Sequence, residues 1–167
     1  VVLPHFGGAR TPVNDERGTG VMVGLTLQHT TADVYRALLE SVGYEVRHHI
    51  DVLREAGVDP RSIRAVGGGT RNPLWTQIVS DITGLEQTCV SNPIGAPLGV
   101  AYLAALGVGL VDGVDTLKEK WVSISRVVMP DAAAGSVYGK LYEVYRQAYP
   151  ATAGLSHALG AVGTLGG

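Results

Sequence analysis

The chain has a single cysteine, Cys89. That excludes an internal disulfide framework and fits a reducing compartment, with the cytoplasm as the expected location. Charge is also scarce: charged residues make up 17% of the chain and the net charge is -2. Neither a basic nucleic-acid surface nor a polybasic membrane patch is suggested. No membrane span is expected. The longest apolar stretch, Ala96 to Val111, is too short and too broken by glycine, and reads as a buried core helix. No signal peptide, internal repeat or charge run is visible. The first residue is Val1 rather than Met, so upstream sequence is expected. Metal-ligand spacing is missing too. His5, His29 and His157 stand apart, and the adjacent His48 and His49 would diverge on a helix, which reads as a solvent-facing pair.

What is present is an apolar chain rich in turn residues. Hydrophobic residues reach 46% of 167 positions, enough for one ordinary domain with its own core, and 23 glycines imply tight turns. Val1 to Gly18 reads as an extended loop broken by Pro4, Gly7, Gly8, Pro12 and Asn14, a segment that needs something to lie against. Val21 to Leu27 reads as a strand. Thr30 or Thr31 suits the cap of a helix whose stripe is Val34, Leu38, Val42, Val46, Ile50 and Leu53, stopped by Gly57 and Pro60. Ile63 to Val66 is a short strand. Asn72 is a good N-cap, Pro73 fits the first helical position, and Gly84 closes the helix. Glu86 to Val90 reads as a strand. Asn92, Pro93, Gly95 and Pro97 form a turn into a helix over Ala96 to Leu106. A short helix over Val114 to Trp121, an edge strand over Ser125 to Met129, and a helix from Asp131 to Ala148 follow. The Gly-rich tail from Ala151 is expected to be loose or to pack through one short turn. The order strand, helix, strand, helix is that of an α/β layer architecture.

The candidate site is Val66-Gly67-Gly68-Gly69-Thr70-Arg71-Asn72-Pro73. A strand that runs into glycines below a helix start lets backbone approach a ligand closely. On spacing alone two readings stay open: a turn that merely lets the helix pack, and a nucleotide site. It is not a P-loop, because no Gly-Lys-Ser/Thr follows, and it is not the dinucleotide fingerprint, because the glycines are contiguous. It supplies no nucleophile or base, and the rest of the chain offers none. Asp15 and Glu16 read as a flexible acidic loop rather than an acid/base pair. Asp81 reads as solvated or capping, Cys89 as a small buried hydrophobe, and Tyr138, Tyr142, Tyr145 and Tyr149 as the packing stripe of the last helix.

Three ordered motifs add a resemblance. Gly20-x-Met22-x-Gly24-Leu25, followed by Asp33-Val34-x-x-Ala37-Leu38-Leu39-Glu40, resembles the second signature of the FGGY carbohydrate kinases. Residues 66–84, VGGGTRNPLWTQIVSDITG, are similar to that family's adenine-nucleotide turn and helix, and the stretch from Gly95 resembles its small-residue helix. The opening LPHFGGARTP resembles xylulose-kinase-like members, although the arginine usual after it is displaced by two places at Arg17. The resemblance runs to about Pro150 and implies domain limits: residues 1–150 as part of a C-terminal nucleotide-binding domain, residues 151–167 as a small tail. It implies a partial actin-like ATPase (ribonuclease-H-like) domain with a mixed sheet flanked by helices. ATP would bind with Gly67, Gly68 and Gly69 giving the backbone access and Asn72 hydrogen-bonding base or ribose, while Thr70 and Arg71 border the pocket. Mg²⁺ would be held mainly by the phosphates. A small sugar or polyol would be the acceptor, with a ketopentose such as xylulose the expected one, and the catalytic aspartate would belong to the missing N-terminal domain. The chain alone is expected to show no useful kinase activity. A homodimer, a noncatalytic nucleotide-binding module and a glycerol or polyol kinase are the other readings carried forward.

Overall fold

The computed structural model describes residues 1–91, 94–116 and 120–163. The elements in order are β1 (Val2–Leu3), β2 (Val21–Met22), α1 (Thr31–Glu55), β3 (Ser62–Ala65), α2 (Pro73–Thr83), β4 (Glu86–Val90), α3 (Ala96–Gly107), α4 (Gly113–Thr116), β5 (Ile124–Val128) and α5 (Ala132–Gly163). β1 and β2 pair antiparallel. β3, β4 and β5 form a second, mixed sheet in that order, parallel between β3 and β4 and antiparallel between β4 and β5. α2 is the crossover between the two parallel strands, as their parallel pairing demands. The turn after β3 therefore opens at the carboxyl edge of the sheet, where ligands of open α/β sheets gather.

The caps of α1 and α2 fall where local chemistry says they should. Thr30 and Asp33 form a reciprocal cap on α1: the Asp33 carboxylate accepts the Thr30 N–H at 2.8 Å, and the Thr30 hydroxyl accepts the Asp33 N–H. Asn72 Oδ1 accepts the Trp75 N–H at 3.2 Å, and Gly84 ends α2 in the left-handed region. α1 crosses α2 at Gly43, where a β-carbon would press on Ile82 Cδ1. The core is built from Leu3, Tyr44, Ile78, Ile82, Tyr142 and Tyr145, contributed by β1, α1, α2 and α5. The tyrosine stripe is packing, as the sequence suggests. Tyr44 lies 5.4 Å from Tyr145, and Tyr142 stacks on Tyr145 at 6.0 Å, centroid to centroid. Two tips meet polar partners on α1: Tyr142 donates to Asp51 at 2.7 Å and Tyr138 to Glu40 at 3.2 Å. Cys89 is buried, 1% exposed.

Several expectations are corrected. The strand expected over Val21 to Leu27 stops at Met22, because Gly24 turns to φ +85° and Thr26 and His29 close a turn that leaves Leu25 and Leu27 exposed. The described part of the tail is helical rather than loose: α5 crosses Pro150 and continues to Gly163. Its last turns are held by the opening segment, which is equally not a free loop. Tyr149 and His157 both bind the Asp15 carboxylate, and Thr19 donates to Ser156 at 2.9 Å. Those contacts outweigh a helix-breaking proline. Asp15 is thus anchored rather than flexible, and these partners, Tyr149 first, hold its carboxyl well below the usual carboxylate range. His48 and His49 are half-buried rather than solvent-facing. Burial first, then the Arg146 charge, lowers the His48 pKa, and His49 Nδ1 sits 2.7 Å from the Glu45 carbonyl. Asp81, 8% exposed, is not solvated; it accepts from Gln77 at 2.7 Å and from the Asp131 N–H at 2.8 Å, one residue before α5. Asn92, Pro93 and residues 117–119 and 164–167 lie outside the described residues, so the turn and helix segments expected there are not described.

Candidate functional site

The three glycines do three different things. Gly67 adopts φ +92° and ψ 179°, a region essentially restricted to glycine. It turns the chain from the end of β3 into one tight helical turn over Gly68–Arg71. Gly69 has an ordinary φ, but a β-carbon there would lie 2.9 Å from Cε3 of the Trp75 ring, and closer still to its neighbour. Its missing side chain is occupied space. Gly68 has neither reason. Its φ is ordinary, it is exposed, and a β-carbon would meet nothing within 4 Å. Bare backbone at Gly68 faces open space.

Asn72 closes the turn. Its N–H donates to the Gly69 carbonyl at 3.1 Å and its side-chain oxygen caps α2, so its amide nitrogen keeps both protons free among the described residues. Thr70 points the other way, donating its hydroxyl to the Gly67 carbonyl at 2.8 Å. Arg71 is exposed and makes no ion pair among the described residues. The first turn of α2 carries no acidic side chain, so its N-terminal amides present an uncancelled partial positive charge. Gly67, Gly68, Gly69, Thr70, Arg71 and Asn72 are therefore brought together, as their adjacency requires.

Two hollows flank the turn. One, of about 270 Å³, is mainly apolar and lies between α1, β3 and α2, with Val46, Ile63, Gly69, Trp75 and Gln87 on its walls. The other is polar and lies across the strand ends, between Thr70, Arg71, Ser91, Ser125 and Arg126. Arg126 is the residue that sequence reasoning passes over. It is the only charge in β5, Ile124–Val128, and it stands opposite Cys89 in the ladder. Its position in the sequence carries one signal, a lone cation in an otherwise uncharged edge strand. Among the described residues no cluster of three or more His, Cys, Asp or Glu side chains is arranged to hold a metal ion. No described helix is long and apolar enough to cross a membrane.

The pattern of the FGGY family of carbohydrate kinases, C-terminal domain, matches residues 1–108. The xylulose kinase of Staphylococcus epidermidis is 32% identical over 149 residues, which is 89% of this chain and 30% of that protein. A glycerol kinase of Streptococcus pyogenes is 33% identical over 152 residues, 90% of this chain and 30% of that protein. The solved structure of a xylulose kinase from Rhodospirillum rubrum superposes with a TM-score of 0.78 at 34% identity, covering 94% of this chain and 31% of that one. The chain thus spans about 30% of the length of the curated relatives it matches.

Proposed function

The chain belongs to the FGGY family of carbohydrate kinases, and on that premise we propose that it is the nucleotide-holding part of an enzyme that moves the ATP γ-phosphoryl group to a sugar hydroxyl. Its α/β fold, a small mixed sheet with helices, is part of the actin-like ATPase fold of those kinases. The acceptor is proposed to be a ketopentose such as xylulose, on the likeness to xylulose kinases along nearly the whole chain. The observation that carries the nucleotide assignment is the open backbone at Gly68 beside the free amide of Asn72. The turn offers main-chain approach, the helix start offers positive charge, and Asn72 offers two donors. In this reading Gly67 shapes the turn, Gly68 and Asn72 meet the nucleotide, and Gly69 makes room for Trp75. Thr70 and Arg71 border the same place.

Phosphoryl transfer depends mainly on positioning and charge stabilisation. These residues supply positioning only, because none of them is placed as a base. The base that takes the sugar proton is assigned to the N-terminal domain that the longer relatives carry, and Mg²⁺ to the phosphates themselves. The proposed workplace is the cytoplasm, which suits a lone, buried, reduced Cys89. A polyol acceptor is the second reading, favoured by the glycerol kinase relative at 33% identity. ADP release measured with the full-length protein on xylulose, glycerol and related acceptors tests both: turnover on the pentulose is expected. Robust phosphorylation by the 167-residue chain alone would overturn the assignment of roles.

A further inference from the structure

Resting on that reading of the Gly67–Asn72 turn, we propose that Arg126 is its positioning residue: from β5, one guanidinium nitrogen ties both flanks of the turn in the shape that receives the nucleotide. Arg126 Nη2 donates to the Thr70 carbonyl at 3.2 Å and to Thr76 Oγ1 at 2.7 Å, and lies 3.8 Å from Cys89 Sγ. Thr76 is buried, and its own hydroxyl proton is shared between the Pro73 carbonyl at 3.1 Å and the Asn72 carbonyl at 3.3 Å. One nitrogen therefore grips the middle of the turn directly and its closing residue through a single hydroxyl. The link reaches across 56 residues of sequence, from an edge strand to the turn at Thr70. Nothing else accounts for the charge. Arg126 makes no ion pair among the described residues, and its Nε is buried without a partner. A half-buried cation spent on neutral oxygens is costly where it serves packing alone. It is intelligible where a loop must be pre-set for a ligand, since a site is held to useful tolerance by the residues behind it.

The test uses the full-length protein with Arg126→Met, which keeps the length and removes the donors, Arg126→Lys, and Thr76→Val. Arg126→Met is expected to raise the KM for ATP about tenfold to a hundredfold, the scale of a displaced binding group. The sugar KM should stay unchanged, and amide exchange over residues 67–72 should quicken. Thr76→Val should move the same two readings the same way by less, and Arg126→Lys should restore part of the loss. If Arg126→Met does not fold, the other two carry the comparison. Unchanged ATP KM and unchanged turn exchange, in a background where the wild-type protein binds ADP, would overturn this proposal alone. So would an equal rise in both KM values with a lowered Tm, the signature of a merely structural arginine. A wild-type protein that binds no adenine nucleotide would instead overturn the functional reading on which it rests.

Discussion

Replacing Gly68 with alanine should separate ligand chemistry from folding. The new methyl group meets no atom within 4 Å and the residue's φ is ordinary, so the folded state is not strained. The unfolded chain loses freedom, which stabilises by roughly 0.4–1 kcal/mol. The same methyl group would project where the nucleotide is proposed to approach. A forced close contact costs about 1–3 kcal/mol, or about 5- to 150-fold in affinity. The neighbouring glycines are the controls. Gly67→Ala must hold alanine at φ +92° and should lose about 1–3 kcal/mol of stability. Gly69→Ala must displace the Trp75 ring and should lose about 1–3 kcal/mol by overpacking. Urea midpoints measure stability, and calorimetric titration of ADP into the full-length protein measures affinity. Gly68→Ala alone should be at least as stable as the parent yet bind weakly. If it binds ADP as tightly as the parent, backbone approach at this turn is the wrong idea.

Asn72→Asp keeps a side-chain oxygen for the cap, so urea stability should stay within about 0.5 kcal/mol; losing the free amide donors and adding a negative charge should weaken ADP binding about tenfold or more, and equal affinity would remove Asn72 from the site. Asp15 has a carboxyl pKa below its unfolded value, so its contribution is complete above the ordinary carboxylate range, near 4, and is lost as pH falls toward the depressed folded value. Hydrogen exchange should therefore show residues 5–19 and 145–163 loosening together below about pH 4 but not at neutral pH, and independent loosening would refute the link. Tyr44→Phe removes a buried hydroxyl that has no partner and should hold or raise stability by up to about 1 kcal/mol in urea, whereas Tyr142→Phe forfeits the Asp51 bond and should lower it by about 1 kcal/mol.

The parts of this fold that could be read from the chain are those written in neighbouring residues. α2 is the clearest case: Asn72 caps, Pro73 fills the first position and Gly84 stops, all within its own length. The strand, turn and helix that make the site follow from the same short stretch. What could not be read depends on partners far away. Pro150 and the later glycines signal an end to helix locally, yet α5 continues because Asp15 and Thr19 seat its last turns. Leu25 and Leu27 look strand-like, but Gly24 at φ +85° and the turn that Thr26 and His29 close leave both exposed. The difference between Gly68 and Gly69 is invisible in a run of identical residues; it lies in where the Trp75 ring falls. Arg126 escapes for the same reason, since its meaning comes from Thr70 and Thr76, both about fifty residues away.

The grip of Asp15 and Thr19 on His157 and Ser156 joins positions 142 and 137 apart in the chain. A ribosome delivers the first of these residues long before the last. During synthesis Asp15 and Thr19 must wait, without these partners and open to proteases, until α5 emerges almost whole. Truncating α5 after Pro150 would thus strip Asp15 and Thr19, far from the cut in sequence, of their His157 and Ser156 partners.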